Sequence, residues 1–199
     1  MLREFLKKSL KSMITESFNE LFDSLTIEDL IYNFSYFTNI TLTYVNLYIY
    51  TDELEFISFF YHLKRIIYPT AFVFSCLVTI QFWSLFFINP YLVKKNFNGN
   101  ITLYIIFDEF GVHLFPPIYL HLERTDFKLK WSLRDIRMIF TFFVFYFIIL
   151  EFLYVYKNYV VYNFFKEISF LSKLIWLIIV QLTAYSVYYI NIRLDDIFS

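Results

Sequence analysis

Glu151 is the residue whose type and position most directly suggest chemistry. Thirteen uncharged residues beginning at Met138 precede it, and five more follow before Lys157. An ionisable side chain within such an apolar stretch is costly to keep in a membrane and therefore predicts a function, for which proton transfer is the candidate. Two other interpretations stay open: Glu151 is hydrated near the membrane surface, or it pairs with a Lys or Arg of a neighbour.

The three histidines, His62, His113 and His121, are weaker candidates, as ligands of haem or of a metal ion. Haem held between helices needs histidines inside the helical spans, and all three lie outside the long apolar stretches. His113 and His121 flank Pro116-Pro117, with no cysteine nearby and no acidic residue at a recognisable ligand spacing. We therefore expect no metal and no haem at these residues.

Other reactive side chains give no catalytic motif. Gln81 and Gln181 fall in apolar stretches, where we expect them to hydrogen-bond between helices. Cys76 is the single cysteine, so neither an internal disulfide nor a Cys-x-x-Cys motif can form. Gly99 and Gly111 are the two glycines, too few for a phosphate-binding loop. We expect no catalytic residue beyond the weak candidate Glu151, no cofactor of the chain's own and, at most, a bound lipid.

The longest apolar stretch, residues 66–93, predicts a first membrane-spanning helix. Its 28 residues carry no charge, whereas about 20 residues suffice to cross a hydrocarbon core of roughly 30 Å. Arg65 precedes the stretch and Lys94 follows it. Residues 138–156 and 174–192 predict a second and a third span, and the short connection between these two predicts an antiparallel hairpin.

The remaining segments are predicted to lie outside the bilayer. Residues 1–65 begin with an amphipathic helix, which we expect to rest on the membrane surface or to dock on a partner. Leu30–Tyr50 is uncharged but interspersed with Asn and Thr, and predicts a short helix followed by an extended or amphipathic stretch buried against protein, with a fourth span as the alternative. Residues 94–137 predict a small extramembrane lobe that is irregular or contains strands at Ile101–Phe107 and Val112–Phe115.

Ser132-Leu-Arg-Asp135 has the form of a capping box and predicts the beginning of the helix that carries the second span. Together, these patterns predict a mainly α membrane protein. It would have about three transmembrane helices, an N-terminal amphipathic helix and a small extramembrane lobe.

Composition indicates what surrounds the chain. Hydrophobic residues make up 59% of the 199 residues, against roughly 45–50% in soluble domains. A net charge of −1 provides no excess of Lys and Arg for binding phosphates, so a nucleic-acid partner is not expected. Closely packed transmembrane helices favour small residues, and this chain has only 2 glycines. Its bulky helix faces are better suited to contact lipid or a larger partner.

The stretch FFVFYFIILEFLYVYKNYVVYNFF at 142–165 is typical of the whole chain, which is rich in Phe, Tyr, Ile and Asn and nearly devoid of Gly and Ala. In this respect the chain resembles proteins encoded in ciliate mitochondrial genomes. The resemblance is one of composition and involves no motif. It implies a multi-pass subunit of a respiratory complex in the mitochondrial inner membrane, which binds other subunits and lipids and is not a monomer.

This resemblance leads to the prediction of a non-catalytic structural subunit, of cytochrome c oxidase by preference and of complex I next. The alternative is a divergent proton-translocating core subunit, such as a complex I membrane subunit or the ATP synthase a subunit, which would use Glu151.

Overall fold

Helices make up nearly all of the described part of the chain. The computed structural model describes residues 2–22, 36–53, 58–90, 109–123 and 130–198, and no strand occurs among them. The helices are α1 (Leu2–Phe22), α2 (Phe37–Glu53), α3 (Ser58–Ile88), α4 (Phe115–Glu123), α5 (Leu133–Lys157), α6 (Asn163–Glu167) and α7 (Phe170–Phe198). A further helical segment, residues 109–113, directly precedes α4.

Three of these helices are long and apolar enough to cross a membrane: Phe59–Ile88 in α3, Leu133–Lys157 in α5 and Phe170–Leu194 in α7. Their outer faces carry large apolar side chains that are more than half exposed, as lipid-facing surfaces do, among them Phe145, Ile148, Ile178 and Leu182. The prediction of a mainly helical, multi-pass membrane protein with three spans is therefore confirmed.

The helices α5 and α7 form the predicted antiparallel hairpin. The Tyr188 hydroxyl, late in α7, donates to Asp135 Oδ2, early in α5, at 3.1 Å. At the other end, Lys173 of α7 lies 2.8 Å from Glu151 of α5. Two contacts at opposite ends thus fix the relative direction of the two spans.

The helix α2 replaces the extended stretch that was predicted for the second half of Leu30–Tyr50. The Thr41 and Thr43 hydroxyls donate to carbonyls four residues earlier, at 2.8 and 2.9 Å, and the Asn46 amide does the same at 2.9 Å. The threonine hydroxyls are thus satisfied within the helix, which allows Thr41 to be buried in it. Asn46 is buried as well, with its amide nitrogen bonded and its amide oxygen without a partner among the described residues. The extended form of this prediction was wrong, whereas burial of the stretch against protein agrees with the structure, since Leu42, Val45 and Ile49 are buried. Residues 30–35 lie outside the described residues.

The strand predicted at Val112–Phe115 is also absent, since residues 112 and 113 are helical and α4 begins at Phe115. Pro116 and Pro117 directly follow the predicted strand. They occupy the first turn of α4, where a missing N–H removes no helical hydrogen bond. The other predicted strand, Ile101–Phe107, lies outside the described residues.

The segment 109–123 runs alongside α3 in the opposite direction. The rings of Phe82 and His113 stack with centroids 3.6 Å apart, and the Tyr68 hydroxyl donates to the Leu120 carbonyl at 3.1 Å. The described part of the region predicted as a lobe is therefore packed against the first span rather than forming a separate unit.

The N-terminal helix α1 docks on α2 and α4 of its own chain. Ile14 is fully buried there, and Lys7 pairs with Glu123 at 2.8 Å. The Arg3 guanidinium donates to the Leu122 carbonyl. Docking was one of the two predicted arrangements of this helix, but the surface that receives it is supplied by the same chain.

Candidate functional site

A cavity of about 540 Å³ lies among α2, α3, α7 and the segment 109–113. This volume is within the range of roughly 300–1,000 Å³ that is usual for small-molecule sites. Most of its wall is apolar. Its hydroxyl, amide, carboxyl and imidazole side chains are those of Tyr36, Thr38, Asn39, Gln81, Ser84, Glu109, His113, Tyr146, Tyr162 and Thr183.

Glu109 and His113 form a buried pair in this wall. They are four residues apart in the helical segment 109–113, which places both side chains on one face. Glu109 Oε2 lies 3.0 Å from His113 Nε2. The imidazole also stacks on Phe82 at an interplanar angle of 13°, and the Thr79 hydroxyl donates to the His113 carbonyl. The position and the plane of the imidazole are thus fixed on several sides.

Thr38, the second residue of α2, also lines this cavity. Hydroxyls of later threonines, such as Thr41 and Thr43, are engaged by carbonyls one turn back. The Thr38 hydroxyl, in contrast, makes no hydrogen bond to any residue that the structure describes. The ring of Phe37 anchors this turn by packing on Phe74 and Phe143, at 5.3 and 5.4 Å between centroids.

Two tyrosines of the cavity wall, Tyr146 and Tyr162, contact Phe37 in the first turn of α2, the turn that also carries Thr38. The Phe37 backbone N–H donates to the Tyr162 hydroxyl at 2.9 Å, and the hydroxyl oxygens of Tyr162 and Tyr146 are 3.2 Å apart. Burial raises the pKa of Tyr162 above its usual value, and burial together with Tyr159 does the same for the pKa of Tyr36. Tyr36 and Tyr162 therefore stay protonated at neutral pH and can act as hydrogen-bond donors.

Glu151, the strongest candidate from the sequence, does not line this cavity. Its side chain pairs with Lys173, whose ammonium also lies 4.2 Å from the ring centre of Tyr154. Of the three interpretations given for Glu151, pairing with a cation is the one that the structure displays. A role in proton transfer stays a prediction.

The three histidines are not brought together. His62 and His121 are exposed, on α3 and α4, whereas His113 is buried beside Glu109. Where the chain is described, no group of three or more His, Cys, Asp or Glu is arranged to hold a metal ion. The search of the sequence for acidic residues near His113 considered metal-ligand spacings alone. It did not include Glu109, whose side chain meets His113 because residues 109–113 are helical and a four-residue separation places both on one face.

Sequence reasoning missed Thr38 and Glu109 altogether. The sequence did contain a signal for Glu109, its four-residue spacing from His113. This spacing brings two side chains together on a helix, but not on a strand such as the one predicted at Val112–Phe115. For Thr38 no local signal exists, because its position relative to His113 depends on how α2 packs. Gln81 lines the cavity as well, and Gln181 is partly buried on α7.

Comparison with known proteins gave one family match. The family model described as FAR-17a/AIG1-like protein matches residues 6–195. No curated protein and no solved structure matched the chain.

This match overturns the resemblance to ciliate mitochondrially encoded proteins. The predicted structural subunit of cytochrome c oxidase or complex I was therefore wrong, as was the alternative of a proton-translocating subunit. The physical reason is that residue composition follows codon bias and the need for apolar spans. Neither of these carries information about the order of residues that defines a family.

Proposed function

We propose that this chain, which belongs to the FAR-17a/AIG1-like protein family, is a membrane-embedded hydrolase that cleaves an ester of a long-chain lipid through a threonine nucleophile. One observation supports this above all: Thr38, His113 and Glu109 line a single, mostly apolar cavity, with the last two in contact at 3.0 Å. A hydroxyl, an imidazole that takes its proton and a carboxylate that orients the imidazole are the groups that acyl transfer requires.

In the first step, the Thr38 hydroxyl oxygen attacks the ester carbonyl carbon, and His113 accepts the hydroxyl proton. The carbonyl oxygen becomes an oxyanion, and the tetrahedral intermediate collapses when the bond to the alcohol oxygen breaks. The alcohol takes the proton from His113 and leaves, so that Thr38 carries the acyl group. Water, deprotonated by His113, then attacks this acyl ester, which releases the carboxylic acid and restores the hydroxyl.

Glu109 has the orienting role in this scheme. Its carboxylate engages His113 Nε2, so the other ring nitrogen, Nδ1, is the one that exchanges the proton with Thr38. The carboxylate also stabilises the positive charge that the imidazole carries after it has taken the proton. Because both side chains are buried, this interaction is stronger than it would be in water.

The oxyanion would be stabilised by donors at the beginning of α2. Tyr146 and Tyr162 hydroxyls line the cavity there, and Tyr162 is held in place by the Phe37 N–H. Preorganised donors of this kind, aimed at developing negative charge in a water-poor site, often contribute the largest part of the rate acceleration.

The apolar wall sets the class of substrate. Val78, Ile80, Ile179 and Val180 line the cavity together with the ring of Trp176. These side chains belong to α3 and α7, two helices that can cross the membrane, so a lipid chain can reach the site from the bilayer. A long acyl chain against this wall would place its ester group at the polar end that Thr38 and His113 form.

The test is hydrolysis of a fluorogenic long-chain ester by the purified full-length chain in detergent micelles. We expect Thr38→Ala to lower the rate by at least about 10²-fold, whereas Thr38→Ser keeps a nucleophile and retains activity. The matched control is Thr183→Ala, since Thr183 lines the same cavity but its hydroxyl donates to the Ile179 carbonyl at 2.8 Å. Unchanged hydrolysis by the Thr38→Ala variant would refute the assignment of the nucleophile.

A second measurement does not depend on choosing the right ester. A fluorophosphonate probe, which reacts with activated hydroxyl nucleophiles, should label the intact protein at Thr38, and peptide mass spectrometry locates the adduct. The Thr38→Ala and His113→Gln variants should lose the label. Labelling elsewhere in the chain, with Thr38 unmodified, would contradict the proposal.

The sequence analysis allowed for a bound lipid, and in this proposal that lipid is the substrate. Assembly with other protein subunits and a mitochondrial location stay predictions from composition alone. Native mass spectrometry of the detergent-solubilised chain tests the first prediction, and fluorescence microscopy of the tagged chain tests the second.

A further inference from the structure

A second, smaller cavity of about 280 Å³ lies between α3 and α7, next to Pro117 of α4. Its exposed surface is almost entirely apolar. The polar residues Asn191 and Thr79 do not change this, because the amide atoms of Asn191 are fully buried and the Thr79 hydroxyl is engaged by the carbonyls of Ser75 and His113. The cavity therefore offers contact to a hydrocarbon chain and to little else.

The two cavities lie in line along the seam between α3 and α7. On α3, Phe72, Cys76 and Ile80 follow one another at four-residue steps and so share one face of the helix. The first two line the smaller cavity, and Ile80 lines both cavities. On α7, Thr183 of the larger cavity is followed one turn later by Val187 of the smaller one. Since each helix presents one face to both cavities, the cavities are two parts of a single groove.

This groove is open along its outer side. Ile80 on one rim and Ile190 on the other are 45% and 55% exposed. Both residues belong to helices that can cross the membrane, so the groove opens toward hydrocarbon. A lipid chain can therefore enter it sideways from the bilayer and does not have to thread through a closed tunnel.

We propose that the smaller cavity holds the distal half of the substrate's acyl chain while the ester group lies at Thr38 and His113 in the larger cavity. This binding mode rests on the proposed hydrolysis and adds to it the part of the substrate by which esters are told apart. From Ile179 to Leu194 the groove follows fifteen residues of α7, which correspond to about 22 Å of helix. Only a long acyl chain reaches the far end.

The groove acts on orientation rather than on affinity. Lipid tails are as apolar as the side chains of the groove, so a chain gains little free energy by leaving the bilayer for it. A chain that lies along the groove, however, presents its ester carbonyl carbon to Thr38 from one fixed direction, and such positioning accelerates the reaction. We therefore expect the groove to affect the hydrolysis of long-chain esters and not that of short ones, which end before Ile80.

The first experiment anchors a chain at Thr38 and finds where its far end lies. A hexadecyl fluorophosphonate with a diazirine at the end of the alkyl chain is added to the full-length protein in nanodiscs. The Thr38 oxygen bonds to phosphorus, fluoride leaves, and His113 takes the hydroxyl proton. On photolysis the chain end should cross-link to residues within 187–194 or 72–76, whereas the butyl analogue should cross-link within the larger cavity.

The outcomes separate this binding mode from the hydrolysis on which it rests. An adduct on Thr38 whose chain end cross-links to nanodisc lipid, or to the lipid-facing residues Ile178 and Leu182, would refute the binding mode alone. Absence of an adduct on Thr38 would refute the nucleophile, and the binding mode with it.

Val187→Phe tests the same binding mode by hydrolysis, because the larger side chain should fill the groove where the two cavities join. For palmitate and butanoate esters of one alcohol, we expect the ratio of the kcat/KM values, long to short, to fall by about ten-fold. Val155→Phe is the matched control, since it places the same ring at a position of α5 that is 66% exposed. An unchanged ratio in Val187→Phe would overturn the proposal, whatever happens to the individual rates.

Discussion

At the scale of residues, the Glu151–Lys173 ion pair is the interaction whose effect on the free energy of unfolding can be predicted most directly. The Lys173 side chain is 4% exposed and lies 2.8 Å from the carboxylate. Removing one partner of a buried pair leaves the other charge uncompensated, and we expect Lys173→Met to lower the free energy of unfolding by about 3 kcal/mol. Denaturation of the purified chain in mixed micelles, followed by circular dichroism, measures this change.

The control for that prediction is the double variant Glu151→Leu/Lys173→Met, which should recover most of the lost stability because neither charge remains. If Lys173→Met is as stable as the parent chain, the pair is hydrated and the interpretation of a buried ion pair is wrong.

Glu109 supports a second prediction at the same scale, one that rests on the proposed hydrolysis. Glu109→Gln keeps the shape of the side chain but removes the charge that stabilises protonated His113. We expect kcat to fall by about 10²-fold with a much smaller change in KM. Ser84→Ala, at an exposed position of the same cavity, should leave both constants unchanged. A loss confined to KM would instead indicate that Glu109 binds the substrate.

At the scale of elements, the beginning of α5 is capped by another helix rather than by its own sequence. Ser132 is the N-cap residue, as the Ser132–Asp135 pattern predicted, but its side chain makes no capping hydrogen bond. The Tyr188 hydroxyl of α7 instead bridges the Ser132 backbone and the Asp135 carboxylate, two groups that a capping box would join directly. It accepts from the Ser132 N–H and donates to Asp135, both at 3.1 Å.

We therefore expect Tyr188→Phe to destabilise the hairpin of α5 and α7 by about 1–3 kcal/mol, because a buried carboxylate and a helix N–H both lose a partner. Thermal unfolding in detergent measures the effect. Tyr185→Phe is the control, since Tyr185 is 46% exposed and contacts Trp131 through its ring. Equal stability of the two variants would contradict the capping role.

The packing of the helices also explains why the spans could be predicted from the sequence, whereas the candidate site could not. An uncharged run such as 66–93 is a local property, and it needs no knowledge of packing to be recognised. Thr38 and His113 are 75 positions apart and line the same cavity only through the packing of α2 and the segment 109–113 on α3. Both segments have β-branched and aromatic residues that favour strands locally, and tertiary burial overrides this preference.

At the scale of the whole molecule, the directions of the helices determine how the chain crosses the membrane. Residues 78–85 of α3 share the larger cavity with 176–183 of α7, and residues 72–80 share the smaller one with 187–194, so α3 and α7 are antiparallel. Because α5 is also antiparallel to α7, α3 and α5 run in the same direction. The chain between them, residues 89–132, must then return across the membrane.

We therefore expect Asn89 and Lys130 to lie on opposite sides of the membrane, with 109–123 as part of the return path. Both residues are exposed. Single cysteines at these positions, in a Cys76→Ala background, can be labelled in sealed vesicles with a membrane-impermeant maleimide. We expect one position to react only after the vesicles are opened, and the other to react at once.

Asn158, the exposed residue that follows α5, serves as the internal reference, because parallel α3 and α5 end on the same side. A cysteine there should behave like one at position 89 and unlike one at position 130. If positions 89 and 130 react alike, α3 and α5 do not cross the membrane in the same direction. The region between them then lies outside the bilayer, as the sequence pattern of residues 94–137 predicted. The segment 109–123 would then fold back to the side that it left, and the larger cavity would face the aqueous phase rather than lipid chains.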